Sequence, residues 1–160
     1  MSTTLTVEIS DLKVTADPDA LLVTYALGSC IAVMVHDPVR VAGGMIHYML
    51  PLSETSPEKA RVRPAMFGDT GIPLLFRSLH GLGCDKRNLV VKGAGGGAIH
   101  DDRGLFSIGK RNYAVLREIF SKAGVFIRAE DVGGARSRTA RLQVRTGRCT
   151  VASQGEEVEL

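Results

Sequence analysis

Short runs of alternating or β-branched residues fill the first third of this chain, and they restrict its fold more than any other feature. Side chains that alternate between two faces repeat every two residues, so such runs predict β-strands. An Asp-Pro pair and a later proline separate several of the runs and keep each one short. The predicted strands are Leu5–Ile9, Leu12–Ala16, Leu21–Ala26, Ile31–His36 and Val41–Met49.

Only two helices are predicted in the rest of the chain. Apolar residues recur at helical spacing from Asp69 or Thr70 to His80. The same spacing returns from Asn112 to Ala123, and glycine follows each segment. Polar composition predicts an exposed loop at Ser53–Lys59 and a frayed acidic tail at 154–160. The remaining predicted strands are Leu89–Lys92, Val125–Asp131, Thr139–Thr146 and Arg148–Ala152.

The order of these elements favours a layered α/β sandwich. Helices that do not alternate with strands argue against a doubly wound sheet. We therefore expect two mostly antiparallel or mixed β-sheets with helices on one face. With 160 residues, 44% of them apolar, the chain is long enough for one sizeable core, and we expect a single domain over residues 1–160.

Composition also restricts the location and the partners of the protein. No apolar run could cross a bilayer, and the N-terminal residues lack the features of a signal peptide. Three widely separated cysteines without a Cys-x-x-Cys pair predict free thiols in a reducing cytoplasm and give no sign of structural zinc. A basic patch could be a solvated face or suit an acidic protein, but it lacks the interleaved aromatics typical of nucleic-acid binding. Its members are Arg136, Arg138, Arg141, Arg145 and Arg148.

A cysteine and a histidine near the middle of the strand-rich region are the candidate catalytic residues. Cys30 directly follows Gly28-Ser29, where the chain must turn, and His47 lies in an apolar run entered through Gly43-Gly44. A thiolate can attack an acyl carbon while an imidazole moves the proton. The backbone N–H groups of the Gly28-Ser29-Cys30 turn could stabilise an oxyanion. Both side chains could instead simply be core residues.

Two further features support a site at this turn. Thr24 lies six positions before Cys30, and its hydroxyl could hold one imidazole nitrogen, although an ordinary strand residue is the alternative. The run from Gly93 to Gly97 fails both nucleotide-binding fingerprints. We therefore interpret Gly95 and Gly96 as allowing close backbone approach beside the site.

The other histidines, His36, His80 and His100, are expected at the surface or at caps.

Several motifs together closely resemble the signature of the CheD family, the chemoreceptor glutamine deamidases of bacterial and archaeal chemotaxis. They are Thr24, Gly28-Ser29-Cys30, Gly43-Gly44-Met45, His47, Met49-Leu50-Pro51, Lys92-Gly93-Ala94-Gly95-Gly96, Ile108-Gly109-Lys110-Arg111-Asn112 and Asp131-Val132-Gly133-Gly134 followed by Arg138. The likeness covers about Leu21 to Val151. The chain departs from the usual family pattern at Phe67, Gly71 and Ser137, none of which belongs to the presumed triad.

The resemblance implies both a fold and a reaction. The fold would be like that of the catalytic domain of cytotoxic necrotizing factor, a toxin deamidase. Cys30, His47 and Thr24 would form a catalytic triad that deamidates glutamines in the cytoplasmic helical region of methyl-accepting receptors through a thioester. No metal or organic cofactor, no nucleic acid and no membrane insertion would be involved. A CheC-type phosphatase is a further expected partner, and the protein is expected to be a monomer.

Two other classes of function remain open from the sequence. The protein could be a non-catalytic module that docks on receptors or on a phosphatase, although the complete set of Thr24, Cys30 and His47 counts against this. It could also be a different thiol amidohydrolase, or a transglutaminase in which an amine replaces water.

Overall fold

Two five-stranded sheets form the core of the computed structural model, which describes residues 2–98 and 107–160. The first sheet has the order β1-β3-β8-β9-β10. Its strands are β1 (Thr3–Thr6), β3 (Ala20–Leu27), β8 (Arg138–Gln143), β9 (Cys149–Ser153) and β10 (Glu156–Glu159). The second sheet has the order β2-β5-β4-β6-β7. Its strands are β2 (Asp11–Thr15), β5 (Ala42–Tyr48), β4 (Ile31–Asp37), β6 (Val90–Gly95) and β7 (Ile127–Val132).

Both sheets are mixed, as predicted. The pairs β1–β3 and β6–β7 are parallel, and the other strand pairs are antiparallel. The described residues also form the helices α1 (Pro57–Val62), α2 (Gly68–Gly81) and α3 (Ile108–Ala123). The predicted layered sandwich with helices on one face is confirmed, whereas the likeness to the toxin domain stays a prediction.

The second sheet lies between the first sheet and the helices, and every residue of β4 is buried. Ile31, Val33 and Val35 pack with apolar side chains of α2 and α3. Ala32 and Met34 lie in the other cluster, together with residues of the first sheet. Alternate residues of β4 thus point to opposite faces of the sheet, as in any strand. They contribute to two separate cores, one that faces the helices and one that faces the first sheet.

Two regions differ from the sequence prediction. The predicted loop Ser53–Lys59 contains a short 3-10 turn, Ser53–Thr55, and the start of α1, where Pro57 supplies a preset helical φ at the first position. The prediction of a frayed tail at 154–160 was wrong, because β10 pairs antiparallel with β9. Gln154 and Gly155 both have positive φ, the conformation of a tight two-residue hairpin turn.

The histidine and cysteine predictions have mixed outcomes. His80 is exposed near the end of α2, as predicted, and His100 lies outside the described residues. His36 is buried, contrary to prediction, and its Nε2 lies 2.7 Å from the carbonyl oxygen of Val144. Cys84 and Cys149 are free, as predicted, and both are buried in the core.

The described part of the chain lacks two features. No helix there is both long and apolar enough to span a bilayer. No three His, Cys, Asp or Glu side chains come together there in a way that could hold a metal ion.

Candidate active site

The side chains of Thr24 and His47 meet between the two sheets. Thr24 lies on β3 and His47 on β5, and both are fully buried. The Thr24 Oγ1 lies 2.7 Å from the Nδ1 of His47 and 2.6 Å from the carbonyl oxygen of Val7. A hydroxyl has one proton, and a carbonyl oxygen can only accept, so Thr24 donates to Val7 and accepts from His47. The proton of the neutral imidazole is therefore on Nδ1, and the lone pair is on Nε2.

The segment between β1 and β2 fixes the backbone beside Thr24 and at His47. The Val7 N–H donates to Val23 O over 2.8 Å, next to Thr24. The Ser10 N–H donates to the carbonyl oxygen of His47, also over 2.8 Å. The backbone of one short segment thus fixes both the hydroxyl and the histidine.

Burial sets the protonation state of His47. The cost of desolvating an imidazolium lowers the pKa of His47 to about 4. Among the described residues, the Nε2 has no hydrogen-bond partner. At neutral pH the ring is therefore uncharged and presents a free lone pair, the form that a general base needs.

Cys30 lies in the connection between β3 and β4, and it is partly buried. It packs against the intersheet cluster that includes Ala32, which is opposite His47 in the β4–β5 ladder. The thiol and the imidazole are therefore on the same side of the second sheet. Burial raises the pKa of the Cys30 thiol to about 11, with its own backbone N–H opposing part of the rise. The resting side chain is a neutral thiol.

The glycine run after β6 packs directly on the cysteine turn. The Gly96 N–H donates to the carbonyl oxygen of Cys30 over 2.9 Å, and the Gly97 N–H donates to that of Gly28 over 2.8 Å. Gly95 has a φ of +112°, and a Cβ there would collide with the carbonyl oxygen of Cys30. Gly95 and Gly96 thus lie in close backbone contact with the turn, while their place beside a catalytic site stays a prediction.

Gly43 and Gly44 serve packing on the strand that carries His47. A Cβ on Gly43 would lie 3.1 Å from a methyl of Leu142 in the first sheet. A Cβ on Gly44 would lie 2.7 Å from a methyl of Val14, on the neighbouring strand β2. The two glycines therefore let neighbouring elements approach β5 closely, a few residues before His47.

Sequence reasoning missed Asn112, which contacts the Cys30 turn from α3. Its Nδ2 donates to the carbonyl oxygens of Ser29 and Met49, each over 2.9 Å. The signal was present, because Asn112 shares a helical face with Val115 and Leu116, and a polar residue on a buried face requires a specific partner. In the sequence, Asn112 stands only as the first residue of the second predicted helix and as part of a family motif.

Arg138 was also misjudged as a member of a solvated basic patch. Its guanidinium is buried and donates to the carbonyl oxygens of Gly133, over 2.6 Å, and of Gly95, over 3.4 Å. It also pairs with Asp131 at 3.4 Å. Arg138 thus ties the glycine run to the loop after β7. Other arginines of the patch pair with acidic residues: Arg141 with Glu157, Arg145 with Asp19 and Arg148 with Glu159.

A cysteine at a tight turn, an imidazole with a fixed tautomer and a hydroxyl behind it are the side-chain set that thiol-dependent hydrolases use. The chain belongs to the CheD family. Residues 49–153 match the family described as CheD chemotactic sensory transduction. The family resemblance of the sequence motifs is thus confirmed.

Several relatives match over nearly the whole chain. The probable chemoreceptor glutamine deamidase CheD 2 of Anaeromyxobacter dehalogenans (strain 2CP-C) is 54% identical and covers 96% of both chains. The probable chemoreceptor glutamine deamidase CheD 1 of Syntrophus aciditrophicus (strain SB) is 48% identical, with 93% of both chains covered. The probable chemoreceptor glutamine deamidase CheD of Solibacter usitatus (strain Ellin6076) is 46% identical, with 96% of this chain and 91% of the relative covered.

Proposed function

We propose that this protein is a cysteine-dependent deamidase that converts specific glutamines of methyl-accepting chemotaxis receptors to glutamate. The observation that carries the proposal is the fixed tautomer of His47, whose Nε2 lone pair is on the same side of the second sheet as Cys30. The names of the relatives supply the substrate class. The target region is the helical, cytoplasmic part of the receptor, and the reaction serves chemotaxis adaptation.

In the first step, the Cys30 sulfur attacks the carboxamide carbon of the glutamine. The Nε2 of His47 takes the thiol proton as the C–S bond forms, because both groups are neutral at rest. The Thr24 oxygen accepts the Nδ1–H of the resulting imidazolium and so stabilises it. Backbone N–H groups of Ser29 and Cys30 hold the negatively charged oxygen of the tetrahedral intermediate.

In the second step, the C–N bond breaks and His47 gives its proton to the departing amine, which leaves as ammonia. The acyl group is then a thioester on Cys30. Water attacks this thioester while the Nε2 of His47 takes a proton from it. The C–S bond breaks, the sulfur regains a proton from His47, and glutamate is released. These steps use no metal ion and no organic cofactor.

The test is peptide mass spectrometry of a receptor cytoplasmic fragment incubated with the protein. Replacing NH2 by OH adds about one dalton at each modified glutamine, through an acyl-enzyme intermediate. Cys30→Ala is expected to abolish the gain, and Cys84→Ser is the matched thiol control that keeps it. His47→Ala is expected to lose about a hundredfold to ten-thousandfold in rate. His80→Ala, on an exposed histidine, is its control.

Other functions give different results in the same experiment. A docking module for receptors or for a CheC-type phosphatase would bind the fragment without changing any mass. A transglutaminase would produce crosslinks, or amine adducts when a primary amine is supplied. Deamidation at the wild-type rate by Cys30→Ala would exclude the proposed nucleophile. Sedimentation of the purified protein tests the further expectation that it acts as a monomer.

A further inference from the structure

Asn112 connects the two backbone segments that carry the thiol and the imidazole. Its side chain is fully buried near the start of α3. The Nδ2 group has two protons, and it donates one hydrogen bond to Ser29 O and one to Met49 O, both over 2.9 Å. Ser29 directly precedes Cys30, and Met49 follows His47 by two positions. A single amide therefore spans the gap between the two parts of the site.

We propose that Asn112 is a positioning residue, whose side-chain amide sets the distance between the Cys30 turn and the strand that carries His47. The inference rests on the proposed function, because it assigns these two residues to one reaction. A displacement of about 1 Å in such a site can cost a hundredfold in rate. A rigid bridge of two hydrogen bonds is suited to prevent that displacement.

The alternative is that Asn112 merely attaches α3 to the second sheet, and two observations oppose it. The attachment has its own hydrogen bond, because the Tyr48 hydroxyl donates to the backbone oxygen of Asn112 over 2.6 Å. That bond would survive any change of the Asn112 side chain. In addition, the Asn112 Oδ1 is buried and has no hydrogen-bond partner among the described residues. An unsatisfied acceptor weakens the fold, so an apolar side chain would serve simple packing better.

Two sets of hydrogen bonds support the Cys30 turn, one from the glycine run and one from Asn112. Gly96 and Gly97 hold the carbonyl oxygens of Cys30 and Gly28. Asn112 holds the carbonyl oxygen of Ser29, the residue between them. The glycine run bonds to the turn and to the loop after β7, whereas Asn112 links the turn to Met49, just after the histidine strand. Loss of the amide would therefore release the turn from the histidine strand without removing the other support.

The test compares Asn112→Leu with Tyr48→Phe. Leucine keeps the branching at Cγ and removes the amide, while phenylalanine removes only the hydrogen bond that attaches α3. For Asn112→Leu we expect kcat on the receptor fragment to fall about a hundredfold, with KM within about threefold of wild type. For Tyr48→Phe we expect both constants to stay within about threefold of wild type, whatever the loss in melting temperature.

A second measurement does not depend on deamidation. The rate at which iodoacetamide alkylates Cys30 at pH 8, followed by peptide mass spectrometry, reports the environment of the thiol. A loosened turn exposes the thiol and lowers its pKa from about 11 towards its usual value. The larger fraction of thiolate raises the rate more than the lower nucleophilicity of that thiolate reduces it. Cys30 in Asn112→Leu is therefore expected to react about tenfold faster than in wild type. Tyr48→Phe is expected to react at the wild-type rate.

The outcomes separate this inference from the proposed function. If wild-type protein deamidates no receptor fragment, the proposed function fails, and the alkylation rates still test the bridge. Wild-type kcat and alkylation in Asn112→Leu would overturn the inference. So would equal changes in Tyr48→Phe, which would reduce Asn112 to a helix attachment. If Asn112→Leu does not fold, Asn112→Asp takes its place. An aspartate of nearly equal size loses at least one of the two donors, and unchanged rates in that variant would also overturn the inference.

Discussion

Replacing Thr24 by valine tests how the site fixes its histidine. Valine has nearly the same shape as threonine, but it cannot accept the Nδ1–H of His47 or donate to Val7 O. Both partners lie in the interior between the sheets, where water cannot replace the lost bonds. The imidazole is then free to carry its proton on Nε2, which is the nitrogen that must accept the proton of Cys30 in the proposed mechanism.

The structure gives the size of the effect. Each buried polar group left without a partner costs about 1–3 kcal/mol, so two of them amount to roughly 2–6 kcal/mol. The added methyl group offsets up to about 0.8 kcal/mol. We expect the free energy of unfolding to fall by about 1–5 kcal/mol, which for a chain of this size lowers Tm by about 3–20 °C. Loss of the correctly protonated base is expected to lower kcat by at least about a hundredfold.

Three measurements check this prediction. Thermal unfolding gives the change in stability, ammonia release from the receptor fragment gives kcat, and ¹⁵N shifts of the His47 ring report which nitrogen is protonated. Thr24→Ser is the matched control, because it keeps the hydroxyl and removes only a methyl group. Its kcat and its tautomer are expected to match wild type. If Thr24→Val deamidates within threefold of wild type and its ring stays protonated on Nδ1, the reasoning is refuted.

Two further predictions concern protonation and backbone space. The pKa of His47 is about 4 in the folded protein, so the unfolded chain takes up a proton first as the pH falls below 6.5. The folded state is therefore expected to lose up to about 3 kcal/mol of stability between pH 6.5 and pH 4. Unfolding curves of wild type and His47→Gln should differ in that pH range. On the same grounds, kcat/KM should fall only near pH 4, and an acid limb near 6.5 would contradict the buried neutral ring. Gly95→Ala is expected to abolish activity or folding, because its Cβ would collide with the Cys30 carbonyl oxygen. Gly124 also has a positive φ, +66°, but a Cβ there would meet open space, so Gly124→Ala should cost only about 1–2 kcal/mol and keep activity.

Local patterns in the sequence predicted most of the secondary structure and pointed to Thr24, Cys30 and His47 as candidate site residues. Strand alternation and helical spacing are properties of neighbouring residues, so they can be read without knowing the fold. The Gly28-Ser29-Cys30 turn and the glycine run were recognisable for the same reason. The position of Thr24 opposite His47 was predicted only as a possibility, because it depends on how two sheets stack.

Asn112 and Arg138 were missed because they contact distant segments, whereas the tail strand was missed although its hairpin is local. The tail from Glu156 to Glu159 looks like a frayed acidic end, yet a tight turn returns it to β9, and arginines of β8 and the β8–β9 turn neutralise it. Arg138 looks like one more surface arginine until the glycine run and the loop after β7 bring three carbonyl oxygens around it. The two hydrogen bonds of the Asn112 side chain form only when the β3–β4 turn and the end of β5 lie side by side. Such partners lie many residues apart, so composition and spacing do not reveal them.

The protonation states of Cys30 and His47 have a consequence for substrate selection. Burial keeps the pKa of the thiol near 11 and that of the imidazole near 4, so a resting thiolate–imidazolium pair is strongly disfavoured. A neutral thiol reacts slowly with oxidants and alkylating agents, which protects Cys30. In the proposed mechanism, the proton therefore moves only when a carboxamide is in place and backbone N–H groups can hold the developing oxyanion. Binding of the receptor helix has to supply that alignment, because only interactions that are stronger in the transition state raise kcat. A free glutamine side chain without a docked helix is accordingly expected to be a poor substrate.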